Sequence, residues 1–249
     1  MSPAAQLTIC IVTSGERLDQ FQRCLESVLE HPPDRSFEMR LAFNQAASCF
    51  SYALGRLSRA GVQAQYDLLS DGIERFGWTR DGNMPVWAWH AARRVAEGTL
   101  AHLLYHDLSL RSEYTLTLAE DAIIAEDWCR ELEPIMARGI DYIGRKEWAE
   151  YTPTQMEFIQ AQPWFVGVSP LSRNGRAGTW YMTGGAMAVR SERLRQVAYP
   201  DPSWAAPAGR PHGPRPDILL GEIAHQQGWS QADFKPAHQL LSRSNHASS

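Results

Sequence analysis

Acids at the end of an apolar strand need a chemical reason, and this sequence has two. In YTLTLAEDAIIAEDW, residues 114 to 128, an alternating β-branched and apolar run ends on Glu120 and Asp121. Glu126 and Asp127 read as the first turn of the following helix, where the positive end of the helix dipole favours acids. Glu120 and Asp121 precede that helix, at the carboxyl end of a strand, where open α/β sheets gather ligands. Carboxylate oxygens there suit a divalent cation that bridges phosphates with few protein contacts. Asp121 is therefore the candidate metal ligand, and Glu120 a candidate support for the metal site. A second pair of acids lies in PDILLGEIAHQQGW, residues 216 to 229. Asp217 reads either as a helix N-cap or as a general base, with Glu222 as the alternative base.

The elements that must position these acids follow an α/β order. LTICIVT, residues 7 to 13, is a continuous apolar run, as expected of a strand covered on both faces. Thr13 and Glu16 have the spacing of a capping box, and Leu18, Phe21, Leu25, Val28 and Leu29 recur at helical intervals. EMRLAF (38–43) and VQAQYDLL (62–69) read as strands either side of a helix closed by Gly61. This βαβαβ opening predicts one α/β domain with a mainly parallel sheet. It contains neither GxGxxG nor GxxxxGK[ST], so a bound nucleotide diphosphate would rely on a cation rather than a glycine-rich cradle. Beyond the turn-rich 70–83 segment, PVWAWHAARRVAEG (85–98) reads as a helix. TWYMTGGAMAVRSERLRQV (179–197) reads as a double-glycine turn, a short strand and a helix. The proline-rich 200–216 segment reads as a surface loop placed to act as a lid beside Asp217.

Composition narrows the partners. The 249 residues carry a net charge of −4 with no basic run, which gives no electrostatic case for nucleic acid or an anionic membrane. No uncharged apolar run approaches the ~20 residues that span a bilayer. Cys10, Cys24, Cys49 and Cys129 show no metal-ligand spacing and read as buried thiols. No secretory signal is visible, and the expected location is cytoplasmic.

With these pieces in order, the chain resembles the GT-A glycosyltransferases, close to the family-2 type, over residues 7 to 238. YTLTLAEDAIIAEDW occupies the place of that family's Asp-x-Asp-type motif. TGGAMAVRSERL is similar to its Gly-Gly-x-x-x-x-Arg segment, and PDILLGEIAHQQGW to the helix that supplies its catalytic base. HLLYHDLSLRSEY is similar to a family-2 subgroup. The resemblance implies a Rossmann-like, mainly parallel sheet flanked by helices in a single domain. Its nucleotide-binding half would run to about residue 124 and its acceptor-side half over about 125–240, with a frayed tail at 241–249. It implies sugar transfer, with inversion, from a UDP- or GDP-sugar to a glycan or small-molecule acceptor, assisted by Mn²⁺ or Mg²⁺. Thr13 and Glu16 would lie near base and ribose, and Asp71, Arg80 and Asn83 near base and phosphate. Gly184 and Gly185 would let the backbone approach the sugar, and His238 would join Asp121 at the metal.

One position departs from the pattern. Ala119 stands where the family carries the first acid, so Glu120 must supply the missing oxygen or metal binding is weakened. That departure motivates a rival reading, a GT-A-like protein that binds a nucleotide sugar or glycan without turnover. A nucleotidyltransferase is a weaker rival, because VTSGERLDQ has one glycine and no lysine.

Overall fold

The computed structural model describes residues 6–13, 18–44, 47–69, 112–196 and 216–234. Its strands are β1 (Leu7–Thr13), β2 (Phe37–Asn44), β3 (Ala64–Leu69), β4 (Tyr114–Ala119), β5 (Tyr142–Glu150), β6 (Leu171–Arg173), β7 (Arg176–Arg190) and β8 (Gln231–Asp233). The helices are α1 (Leu18–Glu30), α2 (Ala47–Ala60), α3 (Trp128–Ala137), α4 (Pro153–Gln160), α5 (Ser191–Gln196) and α6 (Pro216–Gln226). All eight strands join one sheet in the order β3-β2-β1-β4-β7-β5-β8, with β6 paired to β7.

The continuous apolar run of β1 has the expected cause: both faces of the strand are covered. Leu7, Ile9 and Ile11 are fully buried against Phe21, Cys24, Leu25 and Val28 of α1. Cys10 points the other way, into a second core cluster with Tyr142, Val189, Leu219 and Ile223. Strands β1, β2, β3 and β4 are mutually parallel along this half of the sheet, so their carboxyl ends lie on one edge. The chain steps outward from β1 to β2 to β3, then returns to place β4 on the opposite side of β1. That reversal is a topological switch point, the place at which open α/β sheets gather ligands.

Beyond β4 the sheet changes character. β7 runs antiparallel to both β4 and β5, so the sheet is mixed, parallel in its first half. The double-glycine segment is not a turn: Gly184 and Gly185 lie within one continuous strand. The register slips there, because Gly144 faces Met187 while Arg145 faces Thr183, leaving residues 184–186 bulged out of the β5 ladder. Glu126 and Asp127 also sit one step earlier than their sequence suggests. Helix α3 begins at Trp128, and Asp127 is its N-cap without a side-chain cap bond, pairing instead with Arg130 at 2.8 Å. All four cysteines are buried and free, as expected. The predicted helix over 85–98 and the proline-rich loop to residue 215 lie outside the described residues.

Candidate active site

The acids of the opening motif sit in a turn. Strand β4 ends at Ala119, and the Ala122 amide donates to the Ala119 carbonyl at 3.0 Å, which puts Glu120 and Asp121 at the two central turn positions. The strict alternation of a strand is thereby broken, and Glu120 is released to turn toward β1. Thr13, the last residue of β1, donates its hydroxyl to Glu120 Oε2 at 2.5 Å. Thr13 is buried, whereas Glu120 and Asp121 are half-buried and keep a solvent-facing side. The switch point therefore holds a short, charge-assisted bond at its floor and carboxylate oxygens at its rim.

Two thiols lie behind this turn. Cys24 Sγ is 3.5 Å from the Ala119 carbonyl, and Cys49 Sγ is 3.8 Å from Thr13 Oγ1. Burial, then the charge of Asp121, then that of Glu120 push the Cys24 thiol up to about 12. Burial also raises Cys49, opposed by its bond to Thr13 and reinforced by Glu120. Neither thiol ionises near neutrality, so they act as small apolar backing for the acids and not as nucleophiles.

Gly185 closes the turn from the β7 side. Its φ of +77° belongs to the left-handed region, which glycine adopts without penalty. A Cβ there would lie 3.4 Å from Ala119 Cβ, 3.6 Å from Ala122 Cβ and 4.0 Å from Asp121 Oδ1. The bulge thus lays glycine backbone along the acidic turn and leaves a methyl-sized space beside Asp121.

Helix α6 supplies the second pair of acids. Its docking on β7 depends on Gly221, where a Cβ would come within 2.5 Å of the Trp180 carbonyl. Asp217 lies in the first turn of α6, and its Oδ1 accepts from the Ile218 amide at 2.9 Å. The helix starts at Pro216, so Asp217 is a first-turn residue and not the cap. Its charge is felt at the buried Tyr142 hydroxyl, which accepts from the Met182 amide at 3.1 Å. Burial holds the Tyr142 phenol far above its usual value, and the nearby Asp217 charge adds to this. Glu222 is different in kind: its side chain is 0% exposed, accepting from Tyr151 Oη at 2.7 Å and Gln226 Nε2 at 2.8 Å.

Sequence comparison finds no match, either to a family model or to a curated protein. Structure comparison does. The galactosyltransferase LgtC, solved with donor and acceptor sugar analogues, superposes with a TM-score of 0.56 at 11% identity, covering 90% of this chain and 73% of its own. The mannosyltransferase PcManGT from Pyrobaculum calidifontis, solved with GDP-Man and Mn²⁺, gives 0.53 at 12% identity, covering 99% and 60%. S. aureus TarS 1–349 gives 0.52 at 11% identity, covering 92% and 58%. The chain has the GT-A fold. It spans about 58% to 60% of the length of TarS 1–349 and PcManGT.

Within the GT-A frame, Thr13, Glu120, Asp121 and Gly185 come together at the switch point, and Gly184 lies in the same bulge. Asp217 lies in the first turn of α6, the helix that packs on β7, the strand of Gly185. Glu16, Asp71, Arg80, Asn83 and His238 lie outside the described residues. Of the tryptophans flanking the site segments, Trp229 is buried in the core, Trp180 is half-buried, and Trp204 lies outside the described residues. Among the described residues no cluster of three or more His, Cys, Asp or Glu side chains can hold a metal on its own. Asp121 with Glu120 nevertheless fits Mn²⁺ or Mg²⁺, since such ions need only one or two carboxylates when substrate phosphates complete the shell. No helix among the described residues is long and apolar enough to cross a membrane.

Proposed function

We propose that this protein is a glycosyltransferase that moves a sugar from a nucleoside-diphosphate donor to an acceptor hydroxyl, with inversion and with a divalent cation. The observation that carries the reading is the convergence of Thr13, the Glu120–Asp121 turn and Gly185 at the switch point of a GT-A fold. Asp121 would hold the cation, and Glu120, fixed by Thr13, would take the ribose or support the metal. Mn²⁺ or Mg²⁺, when bound, would neutralise the charge that builds on the leaving diphosphate. His238 is proposed as a further ligand; Glu16, Asp71, Arg80 and Asn83 would serve base, ribose and phosphate. The backbone at Gly184 and Gly185 passes the sugar closely because it carries no side chains.

Asp217 is the proposed base. It sits on a rigid helix start, held by the Ile218 amide, and accepts the proton of the acceptor hydroxyl as that oxygen attacks. Glu222 suits this role less well, because its enclosed carboxylate is already engaged by two donors. LgtC and PcManGT, whose structures hold sugar analogues and a GDP-sugar, support the donor class. Incubation with UDP- and GDP-sugars in Mn²⁺ tests the reading: donor cleavage that stops with chelator supports it. Ala119 favours the rival of binding without turnover, and tight donor binding with no cleavage under the same conditions would establish that rival instead.

A further inference from the structure

Helix α1 buries Phe21, Cys24, Leu25 and Val28, and with them one hydroxyl, that of Ser27. A buried hydroxyl needs partners, and Ser27 has two. Its Oγ donates to the Cys24 carbonyl of its own helix at 2.7 Å and accepts from the Ile124 amide at 3.0 Å. Ile124 lies three residues past Asp121, in the stretch between the acidic turn and α3 that belongs to no strand or helix. The Ser27 contact is the middle one of three. Cys24 Sγ lies 3.5 Å from the carbonyl of Ala119, where the acidic turn begins. The indole N–H of Trp128, where α3 begins, donates to the His31 carbonyl at 2.7 Å. Spacings of three and four residues keep these groups on one side of α1. They meet residues 119, 124 and 128 in the same order, so the acidic segment runs alongside the helix.

Thr13 holds Glu120 from the β1 side, and the bond from the Ala122 amide to the Ala119 carbonyl closes the turn. The line along which the chain leaves the turn decides how Asp121 is presented. Ala122 and Ile124 are buried in the same core cluster as Cys24 and Leu25, which holds the exit against α1. Apolar packing is non-directional and tolerates small slides. A hydrogen bond is directional, and this one ends on a hydroxyl that its own helix already orients. A ligating carboxylate must be held to within about 0.5 Å of its working position, and supporting hydrogen bonds supply that precision.

We infer that Ser27 is a positioning residue for Asp121: its hydroxyl fixes the exit of the acidic turn and so aims the carboxylate at a divalent cation. This rests on the glycosyltransferase reading, which takes Asp121 to hold that cation. The test uses the full chain. Ser27→Thr and Ser27→Val add the same bulk to α1, and only the first keeps the hydroxyl. In the ligand-free chain, amide exchange followed by NMR should be faster at Ile124 in the Val variant than in the Thr variant. Calorimetry with UDP and GDP should show the Mn²⁺-dependent part of the affinity about fivefold weaker in Val than in Thr, with metal-free affinity unchanged. Ser27→Ala, which adds no bulk, should match the Val variant. Thr8→Val is the control for stability alone, since it removes a buried hydroxyl bonded to Glu38 at 2.9 Å and to Ser112 at 2.7 Å. It lies at the amino end of β1, roughly 16 Å along the strand from Thr13. It should lower the melting temperature and leave Mn²⁺-dependent binding unchanged. Equal Mn²⁺-dependent affinity in the Thr and Val variants, parent-like affinity in the Ala variant, or an equal loss in Thr8→Val overturns the positioning role. Failure of the parent chain to bind either nucleotide with Mn²⁺ overturns the donor reading and, with it, the role of Ser27.

Discussion

Two sets of acids in this molecule look alike in sequence and are opposites in structure. Glu120 and Asp121 occupy a turn at the rim of the sheet, half-buried, with glycine backbone and small side chains around them. Glu222 is enclosed in α6, and the groups that reach it are themselves tied down: Gln226 also bonds the Val168 carbonyl at 2.7 Å and receives the Val166 and Val168 amides. Burying a carboxylate is tolerable only when its oxygens are satisfied, and here they are. The enclosed carboxylate of Glu222 ties the loop over residues 164–170 to α6 through Gln226, whereas the acids at the rim of the sheet stand where a ligand is proposed to bind.

The largest effect should come from breaking the enclosed site. Glu222→Ala leaves the Tyr151 hydroxyl and the Gln226 amide without their shared acceptor, which should cost about 3 kcal/mol of stability. Urea unfolding followed by fluorescence measures it. A loss below about 0.5 kcal/mol would remove the contrast between the two sites.

A third carboxylate sharpens the comparison through pH. Asp141 is buried where β5, α5 and the loop before β8 meet, bonded to Arg193 Nε at 2.9 Å and to Ser230 Oγ at 2.9 Å. Burial alone would raise its pKa, but Arg193 and the Ser230 bonds outweigh it and hold the group below its ordinary 3.8. The stability it contributes is therefore complete above that ordinary value and is lost as pH falls through the depressed one. Asp141→Asn should lower stability at pH 7 and flatten the acid limb of a melting-temperature profile below pH 4. An acid limb unchanged by the substitution would contradict the assignment.

The smallest effect is expected at Ala119, which is half-buried and faces the methyl-sized space beside Gly185. Ala119→Asp should change stability by less than about 1 kcal/mol, since an acid there keeps access to water. It should also raise Mn²⁺ affinity a few-fold in calorimetry. Loss of several kcal/mol, unrelieved by Mn²⁺, would mean that the position is plain core.

How much of this could be read from the chain depends on how local each feature is. β1, β2, α1, α2 and α6 are fixed by runs and periodicities within a few residues, and they fall where the sequence places them. The strand end at Ala119 was legible too, from the alternation that stops at Glu120. The Thr13–Glu120 bond joins residues far apart in the chain, and no local pattern announces it. β7 misleads because two adjacent glycines signal a turn, whereas pairing with β4 and β5 on either side holds them in a strand. β5, with its charged middle, is a strand because β7 pairs along its length and β8 along its start. Glu222 carried a readable signal: Leu219, Glu222, Ile223 and Gln226 share one helical face, and all are buried.

Asp121, at the rim of the sheet, is proposed to serve a ligand and not stability. Calorimetric titration of UDP and GDP, with and without Mn²⁺, into the parent chain and into Asp121→Ala tests it most directly. The expected result is Mn²⁺-dependent binding of at least one nucleotide in the parent, and its loss by about tenfold or more in the variant, with melting temperatures that agree. Unchanged Mn²⁺-dependent affinity in a folded Asp121→Ala protein would contradict it.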